Sequence, residues 1–191
     1  MVEETGGPES PLGPEAPLGQ EEPLDRDVPL GTPTLPEGDG FPLVDEGETL
    51  IDTQPHTVWA VVMDETALAD LIPRAKNMRR TGDTAYAADV SIGVGPFRAA
   101  YLVDAELFPI EPPHSLRIVG GADGRFGKSR GEAYVRFEPA DGGTRVRYRY
   151  AIRIGGPVGR IGGQLLDKVA NALIARFFRS LAAAHAEPAA P

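Results

Sequence analysis

Apolar residues recur along this chain with two periods, and the change from one to the other marks out its elements. Glu48 to Thr53 reads as a first strand. Pro55 suits the first turn of a helix, because proline lacks the N–H that this turn leaves unbonded. Val58, Trp59, Val61 and Val62 give that helix its apolar face. Asp64 fits the N-cap of a second short helix, with Leu68, Leu71 and Ile72 turned inward and Pro73 ending it. The period then becomes two. Lys76 to Arg80 predicts a short strand, and Tyr86, Ala88, Val90 and Ile92 alternate on the next. Phe97, Ala99, Tyr101, Val103, Ala105 and Leu107 alternate on a long strand that Pro109 and Pro112-Pro113 break. Leu116 and Ile118 mark a further strand, and Gly120 to Gly131 is expected as a glycine-rich loop carrying Arg125 and Lys128. Ala133, Val135 and Phe137 face inward on the penultimate strand, and Asp141-Gly142-Gly143 predicts a hairpin turn. On the last strand Val146, Tyr148, Tyr150, Ile152 and Ile154 alternate with Arg145, Arg147, Arg149 and Arg153.

The helical period returns near the C-terminus. Ile161, Leu165, Val169, Leu173, Phe177 and Leu181 form one stripe, widened by Leu166, Ala170, Ile174 and Phe178. A stripe this wide needs an apolar surface to bury against, and the sheet is the available one. The expected class is therefore α+β: a curved antiparallel sheet of about six to seven strands wrapped on a long C-terminal helix, with two short helices after the first strand. Such an arrangement makes a grip-like half-barrel with a mouth.

Residues 1–44 carry a different pattern. Pro-Leu pairs recur every six residues, at Pro11-Leu12, Pro17-Leu18, Pro23-Leu24 and Pro29-Leu30, among acids and glycines. So little apolar surface does not offset an ordering cost of ~1–2 kcal/mol per residue, so a disordered arm with polyproline II character is expected. The arm serves either as a solubilising linker or as a docking segment. The folded, ligand-binding domain is expected over 45–185, with a flexible tail over 186–191.

Charge follows the same division. Residues 1–50 hold 13 of the 28 acids and one of the 19 bases, Arg26, leaving 15 acids against 18 bases in the remainder. An acidic arm thus precedes a mildly basic body. The body has no lysine-rich run, so nucleic acid is not an expected partner, whereas an anionic lipid surface or the chain's own arm is compatible. The arginines of the last strand are expected to pair with acids such as Glu132 and Glu138. Cysteine is absent, which excludes disulfides, cysteine nucleophiles and cysteine-ligated clusters. The start, Met-Val-Glu-Glu-Thr, lacks a positive, apolar leader, and no apolar run reaches the ~18 residues of a membrane span. The expected place is the cytoplasm, or the inner face of the cytoplasmic membrane.

Catalytic patterns are sparse. His56, His114 and His185 are scattered, with no metal-ligand spacing. Ser91, Ser115, Ser129 and Ser180 lack a nucleophile-elbow context, and Gly93-x-Gly95 is interrupted by Pro96. The candidate site is instead apolar: Trp59, Tyr86, Val90, Phe97, Tyr101, Val103, Phe137, Tyr148 and Tyr150, with Leu166, Ala170, Leu173 and Phe177 from the closing helix. Each of these equally suits a core. The small residues Ala88, Ala99 and Ala105 on the same faces leave volume, however, and an apolar hollow accepts a greasy ligand. Tyr101, Tyr148 and Tyr150 are the candidate hydrogen-bond donors to a quinone carbonyl.

Several segments, in order, resemble the CoxG family of carbon monoxide dehydrogenase: His56 to Asp64 with Leu68 and Leu71-Ile72-Pro73, then Gly82-Asp83, Val94-Gly95-Pro96, Gly142-Gly143-Thr144, Gly156 to Gly162, and Phe177 to Leu181. Arg74-Ala75, Pro157 and the proline-rich arm depart from that pattern. The resemblance implies a helix-grip domain of the START-like (SRPBCC) superfamily. It also implies a non-catalytic accessory role beside a molybdenum hydroxylase of the carbon monoxide dehydrogenase type, with recruitment to the membrane. The implied ligand is a quinone, menaquinone or ubiquinone, or a lipid. Relatives of this fold include enzymes, so a small cyclase- or hydrolase-like enzyme using a pocket tyrosine or His56 is the alternative, as is an adaptor with a filled core.

Overall fold

In the computed structural model, which describes residues 30–72, 74–94, 97–160 and 163–184, the two-residue period becomes one seven-stranded antiparallel sheet. The order along the chain is β1 (Phe41–Ile51), α1 (Pro55–Met63), α2 (Glu65–Leu71), β2 (Ala75–Arg80), β3 (Ala85–Val94), β4 (Phe97–Glu111), β5 (Ser115–Gly124), β6 (Gly127–Ala140), β7 (Gly143–Ile154) and α3 (Gly163–Ala183). A single 3-10 turn, Pro157–Arg160, joins β7 to α3. The strands lie in the order β1-β7-β6-β5-β4-β3-β2, so the first strand sits beside the last. The class is α+β, as expected.

Local chemistry starts and stops the short helices where the sequence predicts. Pro55 occupies the first turn of α1, and the Asp64 carboxylate accepts the Ala67 N–H at 2.8 Å as the cap of α2. Three expectations about the strands differ. Strand β4 does not break at Pro109 but runs on to Glu111, with a register shift between the two. Strand β1 starts at Phe41, well before Glu48. The Gly120–Gly131 stretch is not a loop: it forms the ends of β5 and β6, joined tightly between the paired Gly124 and Gly127. Gly120 pairs with Gly131 in the middle of this segment. A Cβ on Gly120 would run into the backbone of Asp104 and Ala105, and one on Gly131 into Ala151 and Ile152. Glycine is required here because neighbouring strands approach closely, a need that looks like a loop in composition alone.

The core gathers at one end of the sheet's inner face. Ile51, Val58, Val62, Leu68, Leu71, Tyr86, Leu107, Leu116, Phe137, Val146 and Leu181 bury together, closing α1, α2 and the end of α3 onto the strands. Helix α3 reaches this core by running along β1. Gly163 sits against the Phe41 ring, whereas Phe178 and Ala182 lie beside Glu48, Thr49 and Leu50. The lengths agree: 21 helical residues span roughly 31 Å and 11 strand residues roughly 35 Å. Because α3 follows the sheet's edge rather than its middle, only part of its stripe is covered. Leu166 and Leu181 are buried, but Leu165 and Leu173, expected inside, are each 40% exposed.

Residues 30–40 lie on the opposite, outer face, so the ordered region takes in part of the segment assigned to the arm. Pro33 is buried, Gly31 rests on the Tyr134 ring, and the Thr34 N–H donates to Glu132 at 2.5 Å. Arg153 donates to the carbonyls of Pro36 at 2.6 Å and Gly40 at 3.2 Å. Glu132 also pairs with Arg117 at 2.6 Å, not with the β7 arginines. Burial raises the Glu132 pKa, but the Thr34 N–H and the Arg117 guanidinium outweigh it and leave it lowered. A depressed folded-state value stabilises above the unfolded value of about 4.3 and is lost as pH falls through the folded one. Glu132→Gln is therefore expected to cost about 1 kcal/mol at neutral pH, shrinking towards zero in acid. Urea unfolding at the two pH values checks this, and a cost unchanged by pH would contradict it.

Residues 1–29 and 185–191, with the arm's four Pro-Leu pairs up to Pro29 and the expected tail, fall outside the described residues, as does Ile161.

Candidate functional site

The inner face has two halves, and the expected site residues divide between them. In the packed half the Tyr86 hydroxyl donates to the Met63 carbonyl at 3.3 Å. Trp59 meets Phe137 edge-on at 6.0 Å, and Phe177 packs against the same cluster. Trp59, Tyr86, Phe137 and Phe177 thus pack in or against the core.

The other half lies in front of β4, β5, β6 and β7. Register places Val103, Ala122, Ser129 and Ile154 in one row and Ala105, Gly120, Gly131 and Ile152 in the next. Val103, Ala122, Ala133 and Ile152 remain half-buried, so α3 does not fill the space before them. Leu43, Val90, Tyr101, Tyr150 and Leu166 are buried here, outside the packed cluster. Tyr101 lies across Gly124, which has no Cβ to obstruct its ring. Ala170 is half-buried and Leu173 lies on the exposed side. Phe97 begins β4, and its side chain lies outside the described residues.

An aromatic row links the halves. Tyr150 stacks on Tyr148 with centroids 6.5 Å apart, Tyr148 on Phe178 at 5.6 Å, and Phe178 meets Phe177 edge-on at 5.5 Å. Tyr148 and Phe178 also line an open cleft of about 470 Å³ between α3 and β1, with Leu50, Asn171, Ile174 and Ala175. Tyr148 therefore stands between this cleft and Tyr150. Among these cleft residues the sequence placed only Tyr148 in the site. Ile174 and Phe178 were visible as the second row of the helix stripe, but nothing in the sequence put α3 against the β1 edge.

Tyr150 carries the main polar feature. It is 5% exposed, and its hydroxyl has no hydrogen-bond partner among the described residues. Burial first, then the charge of Asp45, pushes its pKa up to about 12, with Tyr148 and Asp167 adding to the rise. Burial also raises Tyr101, and burial with Asp45 raises Tyr148. Asp45 is paired with Tyr150 across β1 and β7 on this same face. The hydroxyl thus stays protonated at neutral pH, in a neighbourhood unfavourable to further negative charge.

A second hollow, about 400 Å³, lies on the outer face beside Thr34 and Pro36, lined by Asp104, Glu106, Arg130 and Glu132. Its charged walls do not suit an apolar ligand. Among the described residues no group of three or more His, Cys, Asp or Glu side chains is placed to hold a metal ion, and no helix is long and apolar enough to cross a membrane.

Among curated proteins none matches the chain. Solved structures do. A conserved protein from Geobacillus kaustophilus shares 27% identity with a TM-score of 0.71, covering 74% of this chain and 94% of its own. A putative uncharacterized protein from Rhizobium leguminosarum shares 12% identity at 0.57, covering 75% and 96%. A protein from Thermus thermophilus shares 18% at 0.54, covering 75% and 100%. The latter two likenesses bear on the fold alone. The family model of the carbon monoxide dehydrogenase subunit CoxG matches residues 47–185, most of the chain and all of its strands from within β1 onward. The chain belongs to the CoxG family of carbon monoxide dehydrogenase subunits.

Proposed function

We propose that the chain is a non-catalytic accessory of a carbon monoxide dehydrogenase-type molybdenum hydroxylase that takes a lipophilic ligand into the open half of its inner face. The observation that carries this reading is the buried Tyr150 hydroxyl without a partner, beside half-buried small residues. A buried donor left unbonded costs about 1–3 kcal/mol, which a ligand carbonyl would recover. The Asp45 and Asp167 charges around Tyr150 favour a neutral carbonyl head over a carboxylate. That points to a quinone, menaquinone or ubiquinone, or a neutral lipid, rather than a free fatty acid. The ligand's apolar body would enter past Tyr148 and replace water over Val103, Ala122 and Ile152, at about 25 cal/mol per Å² buried.

The same reading includes contact with the inner face of the membrane. Leu165 and Leu173 leave apolar surface exposed on α3, near Lys168, Arg176 and Arg179. An apolar strip flanked by cations suits an anionic bilayer surface.

Gently purified protein, extracted with organic solvent and read by mass spectrometry, is expected to yield a quinone or neutral lipid in stoichiometric amount. The same preparation is expected to float with vesicles containing anionic lipid. Protein that carries no such molecule, and whose intrinsic fluorescence does not respond to added menaquinone or ubiquinone, would end the carrier reading. Protein that stays at the bottom of the gradient would end the membrane half.

A further inference from the structure

On the outer face of β7 one arginine has no acidic or carbonyl partner among the described residues, and the path of residues 30–40 leads towards it. On β7, Arg149 pairs with Glu46 at 2.5 Å and Arg147 with Glu138 at 3.4 Å, whereas Arg153 is taken by backbone carbonyls. Arg145 has no partner among the described residues, although Glu138 is opposite it in register. Beside Arg145 on β1 lies Leu50, 67% exposed.

The strap of residues 30–40 runs along β6 against the direction of that strand. Pro36 lies at the level of Arg153, Thr34 at Glu132, and Gly31 at Tyr134. Each level is two strand residues, or about 7 Å, which takes two to three residues of extended chain. The next two levels along this line are Arg136 with Arg147, then Glu138 with Arg145. Counting back from Gly31 brings Val28 and Pro29 to the first, and Asp25 and Asp27 to the second. Residues 1–29 hold eight acids and a single base, Arg26, so their charge is opposite to that of Arg145 and Arg147.

We propose that residues 21–29, the acidic Pro-Leu segment preceding the strap, dock in cis along β7, with Asp25 and Asp27 at the level of Arg145. The outer face is then covered by the chain's own arm. This does not depend on the ligand-binding reading, which concerns the opposite face of the sheet.

Arg26 is the sole trypsin site within residues 1–44 and lies in the middle of the docked segment. Its cleavage in the intact chain follows the fraction of time the segment is lifted, when lifting is fast relative to cutting. At low salt, cleavage at Arg26 is expected to be roughly fivefold slower than in Arg145→Glu with Arg147→Glu. High salt is expected to bring the two chains to one rate, since exposed ion pairs are screened. Circular dichroism melting of the variant keeps the comparison to folded protein, and the milder Arg145→Gln alone should give an intermediate rate. Equal rates at low salt in folded wild-type and variant chains would overturn the proposal. Protection of Arg26 that grows with protein concentration would overturn it too, because the occupant would then be the arm of a second copy. Vesicles of anionic lipid that leave Arg26 protection intact support the cis assignment. Vesicles that abolish it at low salt in the wild-type chain would overturn it, because the arginines would then prefer a lipid surface to the arm.

Discussion

Ala122→Phe should lower quinone affinity by about 100-fold, equivalent to about 3 kcal/mol, while the protein stays folded. Ala122 lies on β5 between Val103 and Ser129 on the inner face and is half-buried. A phenyl group there would occupy the space that the proposed ligand requires. Overpacking costs about 1–3 kcal/mol where side chains already interdigitate, but less where the new atoms enter open volume. Thermal unfolding of the variant is therefore expected within about 1 kcal/mol of the parent. Quenching of the single tryptophan, Trp59, by added quinone gives the affinity. Unchanged affinity would move the ligand elsewhere. An unfolded variant would mean that the inner face is already filled, leaving an adaptor rather than a carrier.

Tyr150→Phe is expected to have effects of opposite sign on the empty and loaded protein. Removing a buried hydroxyl that lacks a partner should stabilise the ligand-free chain by about 1–2 kcal/mol. Loss of the same donor should weaken binding of a carbonyl-bearing ligand by roughly tenfold. Tyr86→Phe serves as the contrast, because the Tyr86 hydroxyl already donates to Met63. That variant should lose about 1 kcal/mol of stability and leave affinity unchanged. Urea unfolding and quinone titration of both proteins check the pattern. If Tyr150→Phe destabilises the free chain, the hydroxyl has a bond of its own and the argument for a waiting donor fails.

The sequence made most of the architecture legible for identifiable reasons. Alternation on β3, β4 and β7 faced one side of a sheet, and two local signals, Pro55 and Asp64, fixed the short helices. The glycine-rich stretch was misread because close approach between strands and freedom in a loop both select glycine. Only the register, Gly120 against Gly131, tells them apart. The helix stripe was read as wholly buried because its width was visible and its placement was not. Once α3 follows β1, Leu165 and Leu173 fall on the uncovered side. Of the expected site residues, the aromatic ones nearest α1 became core. Whether a tyrosine packs at the solid end or the open end depends on which helices cover that end, and this is a tertiary property. The orphan state of the Tyr150 hydroxyl likewise has no counterpart in sequence spacing.

The pairing of β1 with β7 also bears on how the protein is made. Arg149 and Glu46 are 103 residues apart, yet they meet across adjacent strands. Among the described residues β1 has no other neighbour in the sheet, so it leaves the ribosome long before its hydrogen-bonding partner exists. Such distant closure slows folding and leaves an unpaired edge at risk of association in the meantime. The acidic, proline-studded residues that emerge just ahead of β1 would keep nascent chains apart during that wait.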